Sequence, residues 1–252
     1  MSSNIKNWIK SNFPGVVRTY RALHPGSDAE PPAQDFGRAQ NMEQLFTRVL
    51  HDNHWMDDQS ASGRGSNLVQ TAVLRRELAS LLERLGVKSM LDAPCGDFNW
   101  MSKTDLKLDR YMGVDIVEEI VAANQRRYGS DTRRFEHLDV TKDPLPQMDL
   151  ILCRDCLVHL SFADIKAALE NFKASGSTYL LTTTFTERSR NKNIPTGGEW
   201  RPLNLMVAPF SLPAPRELLN EQCPEGNGAW ADKSLGLWRL EDIELSDEDF
   251  PQ

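Results

Sequence analysis

Between Asn67 and Leu85 the apolar residues Leu68, Val69, Ala72, Val73, Leu78, Leu81 and Leu82 fall at the spacing of one helix face, and Gly86 supplies a stop. Beyond that helix the pattern turns into short apolar runs separated by further helical stripes. Strands are expected at Lys88 to Asp92, Tyr111 to Asp115, Arg134 to His137, Met148 to Cys153 and Thr178 to Thr183. A short helix follows the first strand, and Glu118 to Tyr128 forms the helix after the second. Ser161, with Asp164 three residues on, opens another whose inner stripe is Ile165, Ala168, Leu169 and Phe172. Strands that alternate with helices need right-handed crossovers, so the sheet is expected to be mostly parallel.

The ends of the chain break this rhythm. Ile5, Trp8, Ile9 and Phe13 recur at helical spacing beside Lys6 and Lys10, His24 to Gly37 is a proline-bearing linker, and Met42 to Leu50 is helical again. We therefore read residues 1–54 as an N-terminal helical extension and 55–252 as the main α/β domain. After Phe185 a Pro- and Gly-rich insertion, Thr186 to Pro215, precedes two strand-like runs, Glu217 to Glu221 and Leu235 to Leu240, which suit a terminal hairpin on the sheet edge.

Composition narrows the function. A chain of 252 residues, 40% hydrophobic and 26% charged, builds one substantial core, and a net charge of −7 argues against nucleic acid as the main partner. No apolar run reaches the ~20 residues that span a bilayer, and the N-terminus lacks the apolar core of a secretion signal. The four cysteines read as free thiols. A cytoplasmic protein without integral membrane association is the expectation.

In a doubly wound sheet, ligands bind beyond the carboxyl ends of the strands, at the switch point. There the sequence carries Asp92-Ala93-Pro94-Cys95-Gly96-Asp97 and, 23 positions after Asp92, Asp115. Gly96 lets backbone approach a ligand closely, and an acidic group closing the second strand accepts both hydrogen bonds of a ribose diol. Pro94 and Phe98 stand where a dinucleotide loop needs glycine, which counts against NAD or FAD.

The runs LDAPCGDFNWM, GVDI and DLILCRDCLVHLS resemble the class I S-adenosylmethionine (SAM) dependent methyltransferases, in particular a bacterial subgroup of small-molecule or glycan type. The likeness extends over roughly Trp55 to Leu240. In that family's first motif, an acidic residue and three alternating glycines, Asp92 takes the acidic place and Gly96 the middle glycine. The resemblance implies a Rossmann-like, doubly wound, mostly parallel seven-stranded sheet with an antiparallel terminal strand, and SAM as cofactor. It lays the backbone of Ala93, Pro94 and Gly96 along the methionine part, gives Asp115 the ribose, and sets Asp139 near the adenine amino group. Ile116, Val140 and Cys153 complete the implied cofactor contacts. Arg64, in the glycine-flanked run Ser62 to Ser66, either meets the carboxylate of SAM or belongs to a solvated linker.

The loop after the fourth strand faces the methyl group in this family, and here it carries Arg154, Asp155 and His159. His159 is the candidate general base, since an imidazole titrates near neutral pH, and Asp155 is the alternative; either residue can instead serve its own loop. No metal is expected. Arg154, with Trp200, Arg201 and Asn204 of the insertion, combines a ring with hydrogen-bonding groups, which suits a small polar acceptor such as a carbohydrate. O-methylation of a sugar or glycoconjugate hydroxyl is the leading expectation. The alternatives are an N- or carboxyl-methyltransferase acting on an amino acid or natural product, and a SAM-binding protein without turnover.

Overall fold

A computed structural model of the chain describes residues 41–246 and Phe250. The expected helix at Ile5 to Phe13 and the linker at His24 to Gly37 lie outside the described residues.

The elements in chain order are α1 (Met42–His51), α2 (Ala72–Leu85), β1 (Ser89–Asp92), β2 (Arg110–Asp115), α3 (Glu118–Tyr128), β3 (Arg133–His137), β4 (Leu150–Cys153), α4 (Phe162–Ala174), β5 (Tyr179–Phe185), β6 (Glu217–Asn220) and β7 (Lys233–Arg239). They form one seven-stranded sheet in the order β3-β2-β1-β4-β5-β7-β6. β1 to β5 run parallel, and β7 enters antiparallel between β5 and β6. The expected terminal hairpin exists, with its second strand on the inside. The strand order reverses between β1 and β4, so the loops after β1, β2 and β4 open at one edge of the sheet.

Local chemistry accounts for the element ends. Gly86 adopts the left-handed conformation at φ 66°, and Val87 donates back to Leu82 while Gly86 donates to Glu83, which closes α2. α2 begins at Ala72, later than its apolar stripe suggests, because Asn67 Oδ1 accepts from Val69 and Gln70 and holds that stretch in turns. Ser161 caps α4 by accepting from the Asp164 N–H. The reciprocal bond of a capping box is absent, since Ser161 N–H donates to Thr196 Oγ1 in the insertion.

Every residue of β4 is buried, as a central strand covered on both faces requires. One core cluster joins Leu78 and Leu81 of α2 to Met90, Leu152 and Leu237. The other joins Ile165, Leu169 and Phe172 of α4 to Ile151, Phe185 and Trp238. Leu203, Leu205 and Phe210 also belong to it, so the insertion after β5 is folded onto the sheet. A smaller cluster seats Leu50 of α1 on Val117 and Ile120 at the start of α3. No helix of the described residues is long and apolar enough to cross a membrane.

Candidate active site

At the switch-point edge lies a cavity of about 1160 Å³. The loops after β1, β2 and β4 form its floor, the segment before α2 and α1 one side, and parts of the two C-terminal connections the other. That volume exceeds the ~300–1,000 Å³ of ordinary small-ligand pockets.

The loop after β1 is built to hold a second loop above it. Gly96 has φ +51°, and a Cβ there would come within 2.1 Å of Ser62 Oγ. Asp97 is buried and accepts from Ser60 Oγ at 3.0 Å and from the Ala61 N–H at 2.8 Å, while its own N–H donates to Ser62 Oγ. Asn99 donates to the Ser66 carbonyl at 3.3 Å. Phe98, where a glycine is usual, puts its ring against Tyr111, Tyr128 and Phe135 at 5.0 to 5.2 Å. Phe98 thus plugs the core beneath the loop, while its neighbours Asp97 and Asn99 anchor residues 60–66.

Two buried carboxyl groups stand on the cavity floor. Asp115 Oδ2 accepts from the Gly96 N–H and Oδ1 from the Val117 N–H, both at 3.0 Å. Each oxygen keeps a lone pair for a further donor. Burial pushes the Asp115 carboxyl up to about 6, against the pull of those N–H groups. Asp92 accepts from the Tyr111 hydroxyl at 2.5 Å, and burial pushes it up to about 7. Pro94, Ile116, Asp139 and Val140 line the same cavity. The Asp139 carboxylate is engaged at home, accepting from Thr141 N–H and Oγ1 and from Lys142 Nζ. Ala93 and Cys153 lie behind the wall in the core. Arg64 is exposed on the cavity wall and makes no ion pair among the described residues.

Four charges the sequence scatters over 80 positions meet beside the loop after β4. Arg154 holds Glu221 through two nitrogens, at 3.1 and 2.7 Å, and donates to the Gly65 carbonyl at 2.9 Å. Lys233 Nζ lies 2.6 Å from Asp155 and 3.5 Å from Glu221. Although burial opposes its charge, Arg154 and Lys233 outweigh that and hold the Asp155 carboxyl at about 2, so it stands ionised between two cations. Arg154 is likewise committed to its partners. Glu221 and Lys233 escaped the sequence reading, because each stands at the end of a strand run where a charged residue is ordinary.

His159 lines the cavity, with its ring 5.0 Å from that of Trp55. Its Nδ1 faces the Glu199 carbonyl at 2.8 Å; a carbonyl only accepts, so Nδ1 carries the proton and Nε2 the lone pair. Burial lowers the imidazolium to about 4, so the ring is neutral at pH 7.

Two of the expected acceptor residues point elsewhere. Arg201 is buried and spends its guanidinium on the carbonyls of Leu157, Val158, Leu160 and Lys192, which fixes the turn carrying His159. Asn204 is also buried; it donates to the Thr186 and Arg188 carbonyls and accepts from Met206 N–H, pinning the insertion. Trp200 does reach the cavity, joined there by Trp230 and Phe185. Among the described residues no His, Cys, Asp or Glu side chains converge as a group of three or more able to hold a metal ion.

No protein-family model and no curated protein matches this sequence. Solved structures do. Human N-acetylserotonin methyltransferase, solved with SAM, superposes at a TM-score of 0.52 with 17% identity over 79% of this chain. The fold is that of the class I methyltransferases. The chain spans 59% of the length of that human enzyme. The N-methyltransferase NodS from Bradyrhizobium japonicum WM9 overlaps 70% of this chain and 98% of its own at 18% identity, with a TM-score of 0.47.

Proposed function

We propose that the chain is a SAM-dependent methyltransferase that acts on a hydroxyl of a small polar acceptor, a sugar or glycoconjugate. The observation that carries this reading is Asp115. A buried carboxylate at the carboxyl end of β2, with one lone pair free on each oxygen and Gly96 backbone beside it, matches what a ribose diol needs. The residues present fit SAM: Asp115 for the ribose, the Pro94 to Gly96 backbone along the methionine part, Arg64 for the carboxylate, Ile116 and Val140 for the faces of the base. Asp139 serves the adenine edge only if its Thr141 and Lys142 bonds yield. The similar human enzyme was solved with SAM, which agrees with this choice.

When bound, SAM supplies a methyl group on a sulfonium. The chain's part is to hold the acceptor in line and take its proton. His159 is suited to that, because the Glu199 carbonyl leaves Nε2 as the acceptor and burial keeps the ring neutral. Asp155, Arg154 and Arg201 position the loop around it. A nitrogen acceptor is the competing reading, favoured by Glu199 and Glu225 on the cavity wall, and it would need no base.

The test is methyl transfer from labelled SAM to a panel of sugars, nucleotide sugars, phenols and amines. Transfer to a sugar hydroxyl that falls by about 100-fold or more in His159→Gln supports the proposal. Transfer to amines alone, undiminished in that variant, selects the competing reading.

A further inference from the structure

Trp200 and Trp230 form a ring surface at the acceptor end of the cavity, backed by Phe185, which is buried in the core beneath them. Trp200 and Trp230 meet edge to face with centroids 5.0 Å apart, and Phe185 lies 6.2 Å from Trp200 and 6.1 Å from Trp230. Arg188, bonded to Asp232, stacks on Trp230 at 5.5 Å and keeps that ring in place. Trp200 nevertheless stays 45% exposed, so part of its ring is left open at the cavity. A separate ring pair on the cavity wall is Trp55 with the candidate base His159. Glu199 joins the two patches, since its carbonyl binds His159 and the next residue is Trp200.

The chemistry of the surface selects its occupant. The rings are in contact with one another, so they enclose no box for a quaternary ammonium. The nearby cations Arg154 and Lys233 are already neutralised by Asp155 and Glu221, so an anionic ligand has no partner there. Glu199 and Glu225 line the cavity and make no ion pair among the described residues. Flat apolar faces with hydrogen-bond acceptors at their edge suit a neutral ring with C–H groups on one side and hydroxyls around the rim.

Building on the carbohydrate reading above, we propose that Trp200 and Trp230, supported from below by Phe185 and joined by Glu225, form an outer subsite for a second, neutral sugar ring, adjoining the ring that receives the methyl group. The acceptor is then a glycoside or the end of a glycan, not a free monosaccharide.

The experiment uses the full chain, labelled SAM, and paired acceptors: methyl glycosides of glucose, galactose, mannose and N-acetylglucosamine, and disaccharides ending in the same sugars. The expected result is a kcat/KM about tenfold higher for a disaccharide than for its methyl glycoside, the scale of one stacked ring. Trp230→Ala collapses that ratio, and Trp230→Phe, which keeps an aromatic face, preserves most of it. Equal rates for the pair, or a ratio that survives Trp230→Ala, overturn the outer subsite while leaving sugar methylation standing. A preference for phosphorylated or trimethylammonium-bearing acceptors overturns it too. No transfer to any sugar, from protein that still binds S-adenosylhomocysteine, overturns the carbohydrate reading and this inference with it.

Discussion

Replacing Asp115 by asparagine should strengthen the ligand-free fold and weaken cofactor binding at once. The carboxyl is displaced from 3.8 to about 6 by burial. That displacement, at 1.36 kcal/mol per unit, means that keeping the group ionised in the folded state costs up to ~3 kcal/mol above pH 6. Asparagine escapes the cost but offers one acceptor in place of two, so either the Gly96 or the Val117 N–H is left facing an amide N–H₂, at about 1–3 kcal/mol. The net expectation is a variant more stable than wild type by up to ~2 kcal/mol at about pH 7.5. The sign with pH follows from the raised value. The native state holds a proton that the unfolded state releases between 3.8 and about 6, so the wild-type penalty shrinks as pH falls through that window and the variant's advantage shrinks with it. Urea denaturation at about pH 7.5 and pH 5 measures the stabilities, and calorimetry with S-adenosylhomocysteine measures affinity, where loss of a charged acceptor to a ribose hydroxyl should cost about tenfold or more. A variant that is less stable at both pH values, or that binds the nucleoside as wild type does, would refute the reasoning.

Four further outcomes follow from the same geometry. Gly96→Ala drives a Cβ into Ser62 Oγ and should abolish cofactor binding, read by calorimetry, with folding retained by circular dichroism. Glu221→Gln leaves Arg154 and Lys233 with one carboxylate between them and should lower stability by ~3 kcal/mol in denaturant melts, and the double variant with Lys233→Met should recover part of the loss. Arg201→Met strips four carbonyls of their donor and should lower both Tm and kcat, since the turn it fixes carries His159. His159 has its folded value lowered to about 4, so stability should fall as pH drops from 6.5 towards 4, and His159→Gln should flatten that limb in a pH series of melts.

The local pattern carried most of the architecture. The helix expected at Glu118 to Tyr128 has those bounds, and the strands ended where the carboxyl groups of Asp92 and Asp115 were expected to stand. Such elements are legible because their periodicity is local. What the local pattern could not show was long-range pairing. Arg201 and Asn204 looked like ligand contacts because a polar residue in a loop gives no hint whether it faces a cavity or turns back on the backbone. Asp155 looked like a base because Lys233, 78 positions away, could not be seen beside it. Phe98, where the motif has glycine, counted only against a dinucleotide, and its packing against Phe135 shows what the side chain does instead.

The most direct test of the central claim is a calorimetric titration of the purified chain with S-adenosylhomocysteine, run beside Asp115→Ala. A saturable one-to-one signal in the wild type, absent from a variant that keeps its fold by circular dichroism, is the predicted result. No heat at millimolar nucleoside, or equal binding by both proteins, would contradict it.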